Sequence, residues 1–203
     1  MYWAFFLPSI SIPSETASVI SFVTLRELSR ILLYDLPATA LILFLLIKEN
    51  REKIIERFAV SRNITLWAII NLTLIIASAF VISLLARFIL PSWKPPIIQA
   101  PKLPSAWIVM TAGSFATAYL EESYFRLYLL YRFDEAGFTS RTGNLLSVLL
   151  FSLCHIYEGP LGFLNAAIAG LFFTLVYRKT GSIHSPAWAH GLYNTLVFSL
   201  AIL

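Results

Sequence analysis

The chain has 203 residues, of which 58% are hydrophobic and only 13% charged, and its formal net charge is +4. This is more apolar surface than the core of a soluble protein of this length could bury, which excludes a soluble globular domain and indicates an integral membrane protein. The basic residues lie mainly in connectors between apolar stretches, so the positive charge indicates membrane topology and not a nucleic-acid-binding surface.

Successive apolar windows of about 20 residues predict an all-α fold, a polytopic transmembrane helical bundle of about six spans, with a range of six to eight. The segment Ser14–Arg30 mixes charged and apolar residues, which predicts an N-terminal interfacial helix leading into a first span that ends near Ile47. The N-terminus has no basic start before its short apolar run, so we expect no cleavable signal peptide.

The connector Lys48–Arg62 carries five basic residues and is predicted to be cytoplasmic, with its charges on a solvated helix face. A second span over about Ile64–Leu90 is followed by the proline-rich linker PSWKPPIIQAPKLP, which cannot continue a helix. We therefore divide the chain into N-terminal membrane helices with this linker, residues 1–104, and a C-terminal helical core, residues 105–203. The core is predicted to contain four spans, at about Ser105–Tyr131, Arg141–Tyr157, Leu161–Arg178 and Ser182–Ala201.

The distribution of basic residues predicts the orientation in the membrane. If the connector Lys48–Arg62 is inside, the alternation of spans places nine basic residues inside and four outside. The inside set is the five of the connector with Arg132, Arg141, Arg178 and Lys179; the outside set is Arg26, Arg30, Lys94 and Lys102. This asymmetry predicts that both termini lie outside, in what we expect to be a prokaryotic cytoplasmic membrane.

Three charged residues interrupt the predicted third span in the stretch YLEESYFRLYLLYRF. Glu122 and Arg126 are spaced i,i+4 and share one helix face, which predicts an internal ion pair, because an unpaired charge is costly inside a membrane. Glu121 points about 100° away on the same helix and remains free for chemistry. The alternative is that both glutamates serve only to neutralise Arg126.

Two further polar clusters occur in the spans that follow. The stretch FSLCH places Phe151 and His155 on one helix face, and HGLYN places His190 and Asn194 four residues apart. Either histidine alone is typical of an interhelical hydrogen bond. A rise of about 1.5 Å per residue brings both histidines and Glu121 to similar depths near the midplane.

Together these residue types predict hydrolysis of an amide bond. A carboxylate and a neutral imidazole can activate a water, while a second histidine and an asparagine can donate hydrogen bonds to the developing oxyanion. The sequence contains no HExxH, GxSxG or GxGD motif, which excludes three other classes of intramembrane protease. Cys154 is the only cysteine, so no intrachain disulfide can form, and as the direct neighbour of His155 it does not face it.

In order and spacing, EESYFR, FSLCH and HGLYN resemble the EExxxR, FxxxH and HxxxN motifs of the CPBP (Abi) family of intramembrane proteases. That family includes type II CAAX prenyl endopeptidases and bacteriocin-processing or immunity proteins, and the resemblance covers about Ser105–Leu203. It implies a glutamic-type protease with Glu121 and His155 activating water, His190 and Asn194 forming the oxyanion site, and Glu122 and Arg126 supporting them. His184, near the start of the last motif, is predicted to be structural or interfacial.

Two alternatives remain open from the sequence. Glu121, His155 and His190 could instead form a two-histidine, one-carboxylate zinc site, but Asn194 beside His190 and the Glu122–Arg126 pair favour a reaction without metal or other cofactor. The expected partners are the lipid bilayer and a membrane-associated or membrane-proximal protein or peptide substrate. The other alternative is a non-catalytic membrane scaffold or bacteriocin-immunity protein that retains the same fold.

Overall fold

The computed structural model describes residues 19–89, 97–99 and 101–200. Within these residues the chain is helical apart from two three-residue strands, which confirms the predicted all-α class. The elements in chain order are β1 (Val19–Ser21), α1 (Thr24–Arg30), α2 (Leu36–Glu56), α3 (Arg62–Ile89), β2 (Ile97–Gln99), α4 (Pro104–Glu122), α5 (Leu130–Glu135), α6 (Ser140–Leu153), α7 (Gly159–Thr180) and α8 (His184–Leu200).

Two π-helical segments join helices end to end. Ile31–Asp35 connects α1 to α2, and Ser123–Leu129 connects α4 to α5, so each pair forms one long rod. The described residues thus form six helical rods, the same number as the predicted spans. Three of them are long and apolar enough to cross a membrane: Thr24–Glu56, Arg62–Ile89 and Ile156–Thr180. The number of helices that cross the membrane stays a prediction.

The N-terminal region differs from its predicted interfacial helix. Residues 14–18 lie outside the described part, and Val19–Ser21 is a strand paired in parallel with Ile97–Gln99 of the proline-rich linker. Helix α1 runs without interruption into α2 through the π-helical segment, so Thr24–Arg30 is the first part of a long helix and not a separate one. Two of its charged residues, Glu27 and Arg30, have partners within the protein, described below. Whether this segment lies at the membrane surface stays a prediction.

Helix α6 is shorter than its predicted span, which was expected to reach Tyr157. It ends at Leu153 after 14 residues, about 21 Å at 1.5 Å per residue, which is less than the roughly 30 Å of a hydrocarbon core. Helix α7 begins soon afterwards at Gly159, whose φ of 82° requires glycine, with proline in its first turn. His155 therefore lies in a tight turn between two helices and not within one.

The charged side chains of the basic connector are exposed, as predicted, apart from the half-buried Arg57, but the segment also packs against the rest of the protein. Helix α2 bends at Asn50, whose φ of −150° and ψ of 81° are not helical, and then continues to Glu56. Ile54, after the bend, is only 2% exposed. The loop beyond it docks onto the turn before α8, where the Ile183 amide donates to the Arg57 carbonyl at 2.9 Å and the Ser182 hydroxyl to the Ala59 carbonyl at 3.0 Å. These contacts fix the start of α8.

Three connectors meet at this end of the bundle. Arg132 near the end of α5 pairs with Glu49 of α2 at 2.5 Å, and Arg178 near the end of α7 pairs with Asp134 at 2.6 Å. The predicted alternation of spans requires these connectors to share one side. Which side of the membrane this is stays a prediction.

His184 has the structural role that was predicted for it. Its Nε2 lies 3.1 Å from the Phe58 carbonyl oxygen, and its Nδ1 lies 2.6 Å from the Tyr119 hydroxyl. Since a carbonyl only accepts, Nε2 carries the proton and Nδ1 accepts the hydrogen bond from Tyr119. The Trp188 indole also donates to the Tyr119 hydroxyl, at 2.9 Å, so α8, α4 and the loop after α2 are held together.

Candidate active site

The predicted ion pair between Glu122 and Arg126 is present in the structure. Arg126 Nη1 lies 3.1 Å from Glu122 Oε1, and both side chains are completely buried. Glu122 ends α4 and Arg126 lies in the π-helical segment, so the junction between the two kinds of helix holds the pair. A buried cation with a carboxylate partner costs far less than either charge alone, which explains why the apolar helix tolerates both.

Helix α7 and the aromatic core complete the surroundings of Arg126. Its Nη2 donates to the Gly170 carbonyl at 3.2 Å, and its guanidinium lies 4.3 Å from the ring centre of Phe151 and 5.2 Å from that of Phe173. A Cβ atom on Gly170 would lie 2.9 Å from the Phe151 ring and 3.3 Å from Arg126 Nη2. Glycine at this position lets the carbonyl, the ring and the guanidinium approach one another.

His190 connects the two glutamates. Its Nδ1 lies 2.9 Å from Glu122 Oε1, the oxygen that also accepts from Arg126, and its Nε2 lies 3.8 Å from Glu121 Oε2. The ring stacks on Phe173 with 4.8 Å between centres. Because the carboxylate paired with Arg126 only accepts, Nδ1 must carry a proton, and the Nε2 of a neutral ring then presents its lone pair towards Glu121.

Glu121 is the glutamate without a close partner. Among the described residues its buried Oε2 makes no hydrogen bond, and the 3.8 Å to His190 Nε2 is too long for a direct one. The side chain is 15% exposed. A water that contacts both atoms would satisfy the two groups, so this gap has the chemistry expected of a hydrolytic water site.

His155 lies beside this cluster at the end of α6. Its Nδ1 is 2.9 Å from the Phe151 carbonyl oxygen, so that nitrogen carries the proton and Nε2 is left as an acceptor. The contact also satisfies a carbonyl left free where the helix ends. The Phe151 ring lies 4.7 Å from the His155 ring and 6.0 Å from the His190 ring, centre to centre, and so links the two histidines.

The structure thus brings three of the six predicted residues into direct hydrogen-bonded contact, Glu122, Arg126 and His190, and places Glu121 3.8 Å from His190. His155 is joined to them through Phe151. Asn194 is half-buried and lies one turn after His190, on the same face of α8. The Glu122–His190 contact was not predicted, because two residues 68 positions apart give no spacing signal.

The sequence interpretation also missed a charge network on the N-terminal helix. Arg30 forms ion pairs with Glu27 and with Asp35, the latter at 2.8 Å, and donates to the Thr117 hydroxyl, which itself donates to Asp35 at 3.1 Å. Thr117 lies one turn before Glu121 on α4, so this network is next to the candidate site. The signal available in the sequence was a lone aspartate within the apolar stretch ILLYDLPA.

The zinc alternative requires Glu121, His155 and His190 to gather around one ion. Across the described ranges, no three His, Cys, Asp or Glu side chains gather into a group that could hold a metal ion. We derive no step through a metal, and a reaction without metal stays a prediction.

The comparison with protein families matches the region that contains these residues. A family model described as type II CAAX prenyl endopeptidase Rce1-like matches residues 103–196. The match confirms the family resemblance inferred from the three motifs and covers the helices that carry them. No curated protein and no solved structure matches the chain.

Proposed function

Because residues 103–196 belong to the Rce1-like family of CAAX-type intramembrane peptide hydrolases, we propose a specific reaction for this site. A water held between Glu121 and the neighbouring histidines attacks the carbonyl of a peptide bond in a membrane-associated or membrane-proximal substrate. The observation that carries the proposal is Glu121 Oε2, a buried carboxylate oxygen with no hydrogen-bond partner among the described residues, which faces the Nε2 of His190.

Glu121 acts as the general base in this proposal. It takes a proton from the water as the water oxygen bonds to the carbonyl carbon, and it later gives that proton to the leaving amine as the carbon–nitrogen bond breaks. His155 supports the same water, since its proton-free Nε2 accepts a hydrogen bond. The low dielectric of the bundle strengthens these interactions.

The tetrahedral oxyanion requires hydrogen-bond donors. We assign the Asn194 amide to this role, since it donates at every pH. His190 can donate to the oxyanion only when both of its ring nitrogens carry protons, because its Nδ1–H already donates to Glu122. Glu122 and Arg126 are positioning residues, which orient the His190 ring and exclude other rotamers.

Glu121→Gln tests the proposal. The variant keeps the size of the side chain but removes the base, so we expect cleavage to fall by about 10²- to 10⁴-fold with little change in thermal stability. Loss of Asn194 should cost on the order of 10²-fold. The measurement is mass-spectrometric detection of products from membrane-proximal peptides, with and without a prenyl group, incubated with the purified protein in micelles.

The matched control is Glu135→Gln, which changes an exposed glutamate at the end of the same rod. It should cleave like the unmodified protein. If Glu121→Gln cleaves a verified substrate at the wild-type rate, the assignment of the general base is wrong.

A further inference from the structure

A polar cavity lies away from the candidate active site, at the end of the bundle where the three connectors meet. Its volume is about 150 Å³. Its base is formed by buried apolar side chains, Ile54, Leu127 and Leu130, each at most 2% exposed. Three basic side chains surround it, Lys53, Arg57 and Arg178.

The charges around this cavity do not balance. Arg178 is neutralised by Asp134, which it contacts through two nitrogens at 2.6 and 2.9 Å. Lys53 and Arg57, by contrast, form no ion pair with a carboxylate of the described residues and rest on aromatic rings. The Lys53 Nζ lies 4.9 Å from the ring centre of Tyr131, and the Arg57 guanidinium lies 5.9 Å from that of Tyr177.

Arg57 is held in a fixed position. Its Nη1 donates to the Gly181 carbonyl at 3.2 Å, and a Cβ atom on Gly181 would lie 2.9 Å from the same nitrogen. Gly181 has φ of 69°, the left-handed conformation that favours glycine at the end of α7. The guanidinium is therefore already ordered before any ligand arrives, which lowers the entropic cost of binding.

We propose that this cavity binds the phosphate group of an anionic ligand, with Lys53 and Arg57 as its charged contacts. A phosphate supplies the missing negative charge and accepts hydrogen bonds from both side chains. Basic pockets between membrane helices at the surface of the bilayer suit the headgroups of anionic lipids, and free phosphate offers the same chemistry. The site is independent of the proposed peptide hydrolysis.

Binding at this cavity would also stabilise the start of α8. Arg57 contacts the turn before α8 through its side chain and through its backbone carbonyl, which accepts from the Ile183 amide. A ligand that holds Arg57 therefore adds to the stability of the folded protein by mass action. Thermal stability is consequently a readout that does not require a substrate.

The experiment titrates the purified protein in neutral detergent with short-chain phosphatidylglycerol, short-chain phosphatidylcholine or inorganic phosphate, and follows the melting temperature. We expect phosphatidylglycerol to raise it and phosphatidylcholine to leave it unchanged. A response to phosphatidylglycerol alone identifies a lipid headgroup as the ligand. An equal response to inorganic phosphate identifies free phosphate.

Three variants locate the site. Lys53→Gln should weaken the apparent affinity for phosphatidylglycerol roughly fivefold. Asp134→Asn removes the negative charge at the cavity and should tighten that affinity by a similar factor. The matched control Lys48→Gln neutralises an exposed lysine of the same connector that does not line the cavity, and it should bind like the unmodified protein. Equal affinities in all four proteins, or stabilisation by phosphatidylcholine to the same extent, would overturn the proposal.

Discussion

Two charge clusters lie near each other in this protein, and they stabilise their arginines differently. Arg126 is completely buried and has one carboxylate partner, whose oxygen it shares with His190. Arg30 on the N-terminal helix is 23% exposed in its side chain and has two carboxylate partners and a threonine hydroxyl. Among the described residues Arg126 has no second carboxylate in contact, whereas Arg30 can lose one carboxylate and keep the other. When Arg126 and His190 share one carboxylate, their positions depend on each other, and a substitution of that carboxylate affects both.

The largest expected effect comes from Glu122→Gln. The glutamine leaves Arg126 as an uncompensated charge in the core, which should lower the free energy of unfolding by about 3–5 kcal/mol. Cleavage should fall as well, because the His190 ring loses the acceptor that orients it. Equilibrium unfolding in mixed micelles measures the first effect and peptide cleavage the second.

Glu121→Gln is the natural comparison, since it changes the adjacent carboxylate without touching the ion pair with Arg126. Glu121→Gln should lose activity and keep its stability, whereas Glu122→Gln should lose both. If Glu122→Gln unfolds like the unmodified protein, the view that Arg126 depends on a single carboxylate is wrong.

A smaller effect is expected from Asp35→Asn in the second cluster. Asp35 is buried, with a side chain only 2% exposed, but Arg30 keeps Glu27 and Thr117 when the aspartate is replaced. The loss of one charged hydrogen bond should cost about 1–3 kcal/mol in the same unfolding measurement. A cost as large as that of Glu122→Gln would show that the network is not redundant.

The smallest effect is expected at the surface, from Glu49→Gln. Arg132 pairs with both Glu49 and Glu135 where the helices meet solvent, and the three side chains are 33–47% exposed. Exposed pairs contribute less than about 1 kcal/mol, and salt screens them further. An unfolding free energy that falls by more than this, or that is insensitive to salt, would contradict the interpretation of this pair as solvent-exposed.

The parts of the site that sequence predicted are those set by local spacing. Glu122 and Arg126 lie four residues apart on one rod, so their pairing follows from helix geometry alone. The contact of His190 with Glu122 depends on how α8 packs against α4, which no local pattern encodes. The ion pair between Arg30 and Asp35 was missed because it spans five residues, a separation that an α-helix does not bring together but the π-helical segment at Ile31–Asp35 does.

The fold shows the same division. Hydropathy located six helical rods, because apolar length is a property of the sequence itself. Hydropathy extended α6 to Tyr157, because the apolar run continues that far. The helix ends earlier, where the His155 side chain bonds to the Phe151 carbonyl. Composition placed the charges of Lys48–Arg62 on an exposed helix face, as the structure has them apart from the half-buried Arg57, but it did not show that Ile54 between them faces inward. The His155 contact at the end of α6 and the packing of Ile54 are contacts between side chains and backbone, which composition does not predict.

The π-helical segment Ser123–Leu129 makes the length of the rod part of the site. A π-turn holds one residue more than an α-turn, so the segment takes up an extra residue while its two ends keep their places. Removal of one residue between Glu122 and Arg126 would shorten their spacing from four residues to three. Arg126 would then be turned by about 100° about the helix axis relative to Glu122. The site is thus specified by residue count as well as by residue identity, and it should tolerate substitutions in this segment better than deletions.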